Sequence, residues 1–240
     1  MGISVRKLDW DSSFFGFSVA RVDCAQTSTS ELKEVLSICA KDQTKLLYLF
    51  VNSNDSESTL TLQEVGAKLV DRKVIYVMDL NSDLLRFVSH NERVKKTNKL
   101  TLQLESLALQ SGEYSRFHVD TKMPPLSFER LYKTWLINSL NGLIATNVLV
   151  VRNKLEKEVG LLILGEKNGK ADISILAVDN KDRGQGIGRQ LVLAAQNISI
   201  NAGYKQMQVV TQLDNKTACA FYEKCGFALS QEEQVYHFWL

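Results

Sequence analysis

A glycine-rich stretch in the last third of the chain has the residue types and spacing of a phosphate-binding loop. It follows a predicted hydrophobic strand over residues 171–178, and glycine occupies positions 184, 186 and 188. Apolar residues recur at helical spacing from Ile187 onward, so a helix begins inside the loop. Glycines let backbone N–H groups converge on an anion, and a helix start adds unpaired N–H groups and a partial positive charge. The stretch therefore predicts a site for a pyrophosphate group.

Two common phosphate-binding patterns do not fit this loop. No Gly-Lys-Ser/Thr follows it, as a P-loop requires, and Arg189 stands where a dinucleotide-binding loop has its third glycine. The pattern that fits is Arg183-x-x-Gly186-x-Gly188 after a hydrophobic strand. It resembles the acetyl-CoA loop of the GCN5-related N-acetyltransferases (GNATs). A structural glycine turn without a ligand is the alternative, because glycine loops are common.

A second motif, about thirty residues downstream, extends the resemblance. Residues 215–227 follow the order Asn-x-x-Ala-x-x-x-Tyr-x-x-x-Gly-Phe, which is similar to a GNAT signature. They predict a helix with Ala218, Phe221 and Tyr222 on one face, ended by Gly226. Together the two motifs imply the GNAT acyltransferase fold, an α/β fold with a mixed sheet, and acetyl-CoA as co-substrate.

The resemblance implies a role for each matching residue. Tyr222 would face the sulfur of CoA as general acid, and a position in the core is the alternative for this residue. Asn215 would hydrogen-bond near the CoA arm, with Ala218 beside it. The strand before the loop would splay and offer N–H groups to the thioester carbonyl. The cofactor-binding residues implied in the strand and loop are Leu176, Ala177, Val178, Arg183, Gly184, Gln185, Gly186, Ile187, Gly188 and Arg189.

Three other segments suggest a closer resemblance. Residues 9–17 and 111–117, with a predicted amphipathic helix over 128–140, look like the dTDP-fucosamine acetyltransferases of enterobacterial common antigen synthesis. That likeness implies transfer of an acetyl group to the 4-amine of dTDP-4-amino-4,6-dideoxy-D-galactose. Relatives that act on other nucleotide-linked amino sugars share such motifs, so the sugar stays open.

The residues for the acceptor substrate come from the same segments: Phe15, Tyr114, Arg116 and His118. Phe15 belongs either to a ligand platform or to the core. Arg116 either contacts the acceptor diphosphate, since a guanidinium matches phosphate geometry, or forms a structural salt bridge. For the general base, His118, Glu113 and a chain of water molecules are all open.

Composition excludes several other classes. The 240 residues include 29 basic and 27 acidic side chains, which leaves no positive field for binding nucleic acid. Apolar runs are too short to span a membrane, and no signal segment is found at the start, so a cytoplasmic protein is expected. The four cysteines have no metal-binding spacing, and we expect no metal.

The chain divides into two predicted parts: an additional N-terminal α/β domain over residues 1–95 and the GNAT domain over 96–240. The boundary lies in the polar segment 81–100. Residues 3–10 are predicted as a strand, and both parts are predicted to end in a helix, a glycine and a pair of short strands. This repetition suggests that the N-terminal part is a degenerate half-GNAT without its own CoA loop. A homodimer that pairs through C-terminal strands is expected from the resemblance.

Two other functions remain possible for such a chain. A GNAT that acts on a protein or small amine would share the acetyl-CoA motifs. A protein that binds acetyl-CoA without catalysis would share them as well, although the presence of both Asn215 and Tyr222 argues against it.

Overall fold

The computed structural model describes residues 4–24, 29–81 and 93–240. Most of the predicted boundary segment lies outside these residues. The strands are β1 (Val5–Lys7), β2 (Val19–Cys24), β3 (Leu46–Asn52), β4 (Lys68–Asp79), β5 (Val94–Lys96), β6 (Asn147–Arg152), β7 (Glu158–Lys167), β8 (Lys170–Val178), β9 (Gln206–Gln212) and β10 (Ala228–Trp239). The helices are α1 (Asp9–Phe15), α2 (Thr29–Lys41), α3 (Ser56–Glu64), α4 (Leu102–Ser111), α5 (Arg116–Val119), α6 (Ser127–Leu140), α7 (Ile187–Asn201) and α8 (Lys216–Lys224).

All the described strands form one mixed sheet in the order β1-β2-β3-β10-β4-β9-β8-β7-β6-β5. Both faces of the sheet are covered, because apolar side chains alternate along the strands. On one face α4, α5 and α6 pack over a large cluster of aliphatic and aromatic residues. On the other face α7 and α8 cover the C-terminal strands, and α2 and α3 cover the N-terminal ones. The predicted mixed α/β architecture is confirmed.

The two halves are joined at the centre of the sheet by an exchange of strands. The units β3-α3-β4 and β9-α8-β10 have the same order of elements. However, β10 pairs with β3, β4 pairs with β9, and the two long strands β4 and β10 pair with each other. This is the arrangement that a duplication with exchanged last strands would produce. The division of the chain near residue 95 stays a prediction.

The last strand, β10, lies inside the sheet. On one side β3 pairs with Glu233–Trp239, and on the other side β4 pairs with Ala228–His237. Strand edges that are already paired are not available to a second copy. The expected homodimer stays a prediction.

Two local predictions were also wrong. Residues 9–15 are helical, because Trp10 and Phe14 are spaced for one helix face, where their rings stack at 5.1 Å. Gly16 ends this helix with φ of +80°. The predicted strand pairs at the ends of the two halves are single 12-residue strands, β4 and β10. Register shifts in β10 accommodate its polar middle residues, so the strand continues there without a turn.

The sheet opens at one place, between β8 and β9. In the N-terminal half the parallel pair β2–β3 stays together over six positions. The corresponding pair β8–β9 is joined over only three, and the last is Ile173 with Val209. Ser174 is an extra residue in β8 with no partner position on β7. Beyond this bulge the two strands separate, so N–H groups of β8 face a gap.

A buried histidine links the end of β10 to the residue after α5. His237 is 1% exposed, its Nδ1 lies 2.7 Å from Asp120, and its Nε2 is buried without a partner among the described residues. The carboxylate accepts, so Nδ1 bears the proton of the neutral ring. Protonation of Nε2 would bury an unpaired donor, and burial lowers the pKa of His237 to about 4.

We therefore expect the protein to lose stability in mild acid. An unfolded histidine titrates near 6.5, so the unfolded state binds more protons between pH ~6.5 and ~4 and stability falls as pH decreases through that window. The loss is on the order of 3 kcal/mol, at about 1.4 kcal/mol per pKa unit. Unfolding in urea at a series of pH values measures it. His237→Asn should flatten the dependence, whereas His118→Asn, at an exposed position, should leave it unchanged. An unaltered slope in His237→Asn would contradict the assignment.

Candidate active site

Two cavities meet at the gap between β8 and β9. One, of about 390 Å³, extends along the glycine loop, and we call it the loop cavity. The other, of about 510 Å³, lies against the centre of the sheet under α4–α6, and we call it the central cavity. The residues that line both are Ser111, Leu176, Asn215, Ala218 and Tyr222. The two cavities therefore meet beside Tyr222, the residue that the sequence predicted to face the sulfur of CoA.

Most of the predicted cofactor residues line the loop cavity. They are Leu176, Ala177, Val178, Arg183, Gly184, Gly186, Ile187, Gly188, Asn215 and Ala218. Gln185 and Arg189 are exposed beside it and do not line it. Their roles stay predictions.

The glycine loop has the backbone geometry of an anion site. Gly184 and Gly186 have φ of +78° and +75°, which side-chain-bearing residues rarely adopt. Gly186 caps α7, so the first N–H groups of this helix have no helical acceptor. A Cβ on Gly188 would lie 3.2 Å from the ring of Phe221, so α7 and α8 approach closely here. Arg183 folds back, and its Nε donates to the carbonyl of Val178 at 3.1 Å.

Gly186→Val should weaken acetyl-CoA binding by about tenfold or more. A β-branched residue at this φ introduces strain of about 1–3 kcal/mol, and relief of the strain would turn N–H groups away from the anion. Gly203→Val is the matched control, because Gly203 has φ of +87° but lies outside both cavities. Calorimetry with acetyl-CoA measures both variants. Equal affinity losses in the two would indicate general destabilisation and contradict a role for the loop.

Asn215 and Tyr222 belong to α8 and lie at the junction. The Oδ1 of Asn215 accepts a hydrogen bond from the N–H of Ala218 at 3.1 Å, so this side chain caps the helix. Tyr222 is 5% exposed, and its ring packs against Tyr76, Phe221 and Phe227. Burial raises the pKa of Tyr222 above its ordinary value, so its hydroxyl stays neutral.

The central cavity contains an acid that the sequence did not suggest. Asp71, on β4, lines it together with Tyr222, and its Oδ1 is buried with no hydrogen-bond partner among the described residues. Burial raises the pKa of Asp71 to about 7, although the cations Arg116 and Lys73 and a bond from Gln212 act in the opposite direction. Asp71 was predicted to lie in a turn between two short strands, so it was not recognised as a residue of the site.

A second acid lies on the other side of the gap. Asp172, on β8, accepts a hydrogen bond from the Nε2 of Gln208 at 2.8 Å. Burial raises the pKa of Asp172, and the bond from Gln208 lowers it. Both acids therefore have a glutamine neighbour, and Asp71 differs in that its Oδ1 has no hydrogen-bond partner among the described residues.

Three cations surround one aromatic ring of the central cavity. The guanidinium of Arg21 lies 3.6 Å from the centre of Phe50, that of Arg116 lies at 5.4 Å, and the ammonium of Lys73 lies at 5.8 Å. Arg21 and Lys73 also pair with acids, Arg21 with Asp23 and Lys73 with Glu233. Such a cluster of like charges, next to a cavity, suits an anionic group.

Arg116 differs from the other two cations. Its guanidinium lies over the rings of Tyr48 and Phe117, at 4.3 and 4.6 Å. Within the described part of the chain no group accepts a hydrogen bond from it. The described residues therefore do not form the salt bridge that was the alternative for Arg116. Arg116 lines the central cavity, where its N–H groups are free for a ligand.

The other predicted acceptor residues are not brought together. Phe15 is 9% exposed, packs against Phe17 and Phe117, and lines neither cavity. His118 is exposed, with its ring 4.7 Å from that of Phe128, and also lies outside both cavities. Tyr114 lines the loop cavity. The helix α1 turns Phe15 into the core, which is the alternative that the sequence left open for this residue.

Among the described residues, no group of three or more histidine, cysteine or acidic side chains is placed to bind a metal ion. No helix in residues 4–24, 29–81 or 93–240 has the length and apolar character needed to cross a membrane.

Comparison with known proteins agrees with the geometry. Residues 145–229 match the model of the acetyltransferase (GNAT) domain. The chain is 26% identical over 133 residues to the spore coat polysaccharide biosynthesis protein SpsD of Bacillus subtilis (strain 168), which covers 55% of this chain and 45% of SpsD. It is 34% identical over 68 residues to N-alpha-acetyltransferase 30 of Schizosaccharomyces pombe (strain 972 / ATCC 24843), with coverage of 28% and 44%. The chain thus spans less than half the length of these curated relatives.

A solved structure shows the same fold. The tandem GNAT protein from the clavulanic acid biosynthesis pathway superposes with a TM-score of 0.59 at 12% identity, over 92% of this chain and 75% of that one. The predicted GNAT fold is therefore confirmed.

Proposed function

We propose that this chain is an acetyl-CoA-dependent N-acetyltransferase. In this proposal acetyl-CoA occupies the loop cavity, the amine acceptor occupies the central cavity, and transfer takes place at their junction. The observation that supports it most directly is the junction itself: Tyr222 and the unpaired edge of β8 lie where an anion-binding loop opens onto a charged cavity. The match of residues 145–229 to an acetyltransferase domain supports the same activity.

The residues present fit acetyl-CoA. The N–H groups at the start of α7 and the glycine loop would hold the pyrophosphate, and the free edge of β8 would pair with the extended pantetheine arm. Acetyl-CoA supplies a thioester, an acyl group already activated for attack by an amine. N–H groups of β8 that face the gap would stabilise the negative charge on the acyl oxygen.

We assign the two proton roles to side chains of the central cavity. Tyr222 would donate a hydrogen bond to the departing sulfur. Asp71 would accept the proton of the acceptor amine, since a base with a pKa of about 7 is matched to neutral pH. Of the bases considered from the sequence, His118 lies outside the cavities, and Glu113 lines only the loop cavity.

For the acceptor we propose a nucleotide-linked amino sugar. The cations Arg21, Lys73 and Arg116 around Phe50 suit the diphosphate of a nucleotide sugar, in which each phosphate is negatively charged. Trp135 and Tyr132 also line the cavity and offer flat surfaces to a sugar or base. The likeness to a polysaccharide biosynthesis protein supports the same class. Within it, dTDP-4-amino-4,6-dideoxy-D-galactose is the acceptor that the sequence motifs suggest.

Release of CoA thiol by the purified protein tests the proposal. The acceptors would be dTDP-4-amino-4,6-dideoxy-D-galactose, its free sugar, its 3-amino and glucose-configured relatives, and a mixed peptide pool. Rapid release with the nucleotide sugar alone is the expected result. Release with a relative would keep the reaction and change the sugar.

A peptide acceptor is the second candidate, because the chain is similar over 68 residues to N-alpha-acetyltransferase 30. Release of thiol with peptides only would establish that function and reject the nucleotide sugar. Binding of acetyl-CoA without release of thiol, whichever amine is offered, would reject catalysis.

A further inference from the structure

One carboxylate ties helix α5 to the last strand of the chain. Asp120 is 2% exposed and directly follows α5, and its own N–H donates to the carbonyl of Arg116 at 3.1 Å. Its Oδ2 accepts from the Nδ1 of His237 at 2.7 Å and from the Nε1 of Trp239 at 2.9 Å. The Nζ of Lys68 lies 3.8 Å from its other oxygen. The end of α5 is thereby fixed to β10.

The same histidine supports the ring beneath Arg116. The rings of His237 and Tyr48 stack at 4.8 Å with an angle of 25° between their planes. The guanidinium of Arg116 lies 4.3 Å from the centre of the Tyr48 ring, and the hydroxyl of Tyr48 donates to Asp11 at 3.4 Å. Two routes therefore run from the Asp120–His237 pair to Arg116, one through the backbone of α5 and one through Tyr48.

Arg116 depends on such support because the described residues offer it no hydrogen-bond acceptor. An arginine side chain loses rotamer entropy when it is held in one position. Where a salt bridge does not hold it, the neighbouring rings must do so. A guanidinium fixed in advance binds an anion more tightly than one that must be ordered on binding.

We propose that Asp120 and His237 are positioning residues that hold the guanidinium of Arg116 for the anionic group of the acceptor. This rests on the proposed function, in which the central cavity takes an anionic amine. Neither residue lines the loop cavity or the central cavity, so their effect on the acceptor passes through Arg116. The C-terminal strand of the acetyltransferase domain then determines affinity at the far end of the acceptor cavity.

A double-mutant cycle tests the proposal. His237→Leu removes both the bond to Asp120 and the aromatic ring under Tyr48. It should raise the KM for the acceptor about tenfold, with kcat and the KM for acetyl-CoA unchanged. In an Arg116→Ala background, which itself loses acceptor affinity, His237→Leu should have no further effect on that KM. His237→Asn retains a donor to Asp120 and should restore part of the affinity.

Tyr236→Phe is the matched control, since Tyr236 precedes His237, is fully buried in the N-terminal cluster on the other face, and donates to Gln234. It should not change the KM for the acceptor. An equal effect of His237→Leu with and without Arg116, or a fall in kcat alone, would overturn the proposal and indicate a general structural role.

Binding of dTDP, measured by calorimetry, separates this inference from the proposed function. If wild type releases no CoA with any amine, the proposed activity has failed. Even then, the positioning role requires that His237→Leu weaken dTDP binding about tenfold in protein that retains Arg116. In the Arg116→Ala variant, His237→Leu should not change dTDP binding. Equal dTDP affinity of wild type and His237→Leu, or no dTDP binding by wild type, would overturn it.

Discussion

Tyr222→Phe should lower kcat by about 100-fold or more and change the affinity for acetyl-CoA by less than about threefold. The substitution removes only the hydroxyl at the junction, and the phenylalanine ring keeps its packing against Phe221 and Phe227. Steady-state kinetics with the acceptor found by the thiol assay, together with calorimetry, separates the two quantities. An unchanged turnover number would end the assignment.

The pKa of Tyr222 indicates how the hydroxyl acts. Burial raises it above its ordinary value near ~10, whereas a thiol titrates near ~8.5, so complete proton transfer to the sulfur is uphill. The hydroxyl would stabilise the departing sulfur as a hydrogen-bond donor. We therefore expect no loss of kcat from deprotonation of Tyr222 up to pH ~10.

Tyr76→Phe is the control for this substitution. The ring of Tyr76 lies 6.2 Å from that of Tyr222, and its hydroxyl donates to Glu223 at 2.9 Å. It lines neither cavity, so its loss should leave kcat nearly unchanged. A comparable fall in kcat in both variants would point to packing instead of chemistry.

The residues of the loop cavity were predictable because their signals are local. The glycines that need positive φ, the start of α7 and the Asn215 cap all lie within a few residues of the atoms they position. Backbone geometry of this kind restricts residue type strongly, so the sequence shows it directly.

Apart from Arg116, the residues of the central cavity were not predictable, because they are brought together by contacts between distant parts of the chain. Arg21 and Asp71 come from β2 and β4, more than 130 residues before Tyr222, and reach it only through the exchanged order of β4, β9 and β10. A single sequence contains no signal for such pairing.

The charged run Asp71-Arg72-Lys73 was predicted wrongly, because the cavity beside it is formed by distant parts of the chain. Three charged residues between two apolar stretches predicted a turn. In the structure the strand continues, because Asp71 and Lys73 line the central cavity and Arg72 on the other side pairs with Asp214. A charged run inside a strand is thus explained by a polar cavity on one face.

Asp71→Asn should lower kcat by about 100-fold or more and remove a titration from its pH profile. For wild type we expect kcat to rise with pH through about 7, as Asp71 loses its proton and becomes a base. Burial raises the pKa of Asp71 to this value; Arg116 from α5, Gln212 and Lys73 lower it, and Asp214, just after β9, raises it. Asparagine cannot accept the proton, so this step should disappear from the profile.

Two other aspartates make the test specific. Asp79→Asn, at the exposed opposite end of β4, removes a similar charge outside both cavities and should leave kcat unchanged. Asp172→Asn removes the rival acid on β8. If Asp172→Asn abolishes the step near pH 7 and Asp71→Asn does not, the base has been assigned to the wrong wall of the cavity.

Stability distinguishes a base from a structural acid. The folded-state pKa of Asp71 lies above its unfolded value of 3.8, so the folded state binds more protons between pH ~3.8 and ~7. The relative stability that this provides is present below pH ~3.8 and is lost as pH rises through about 7. A neutral asparagine avoids burying the charge, so above pH ~7 we expect Asp71→Asn to be at least as stable as wild type while nearly inactive. A variant that is both inactive and less stable would instead indicate that Asp71 supports the fold.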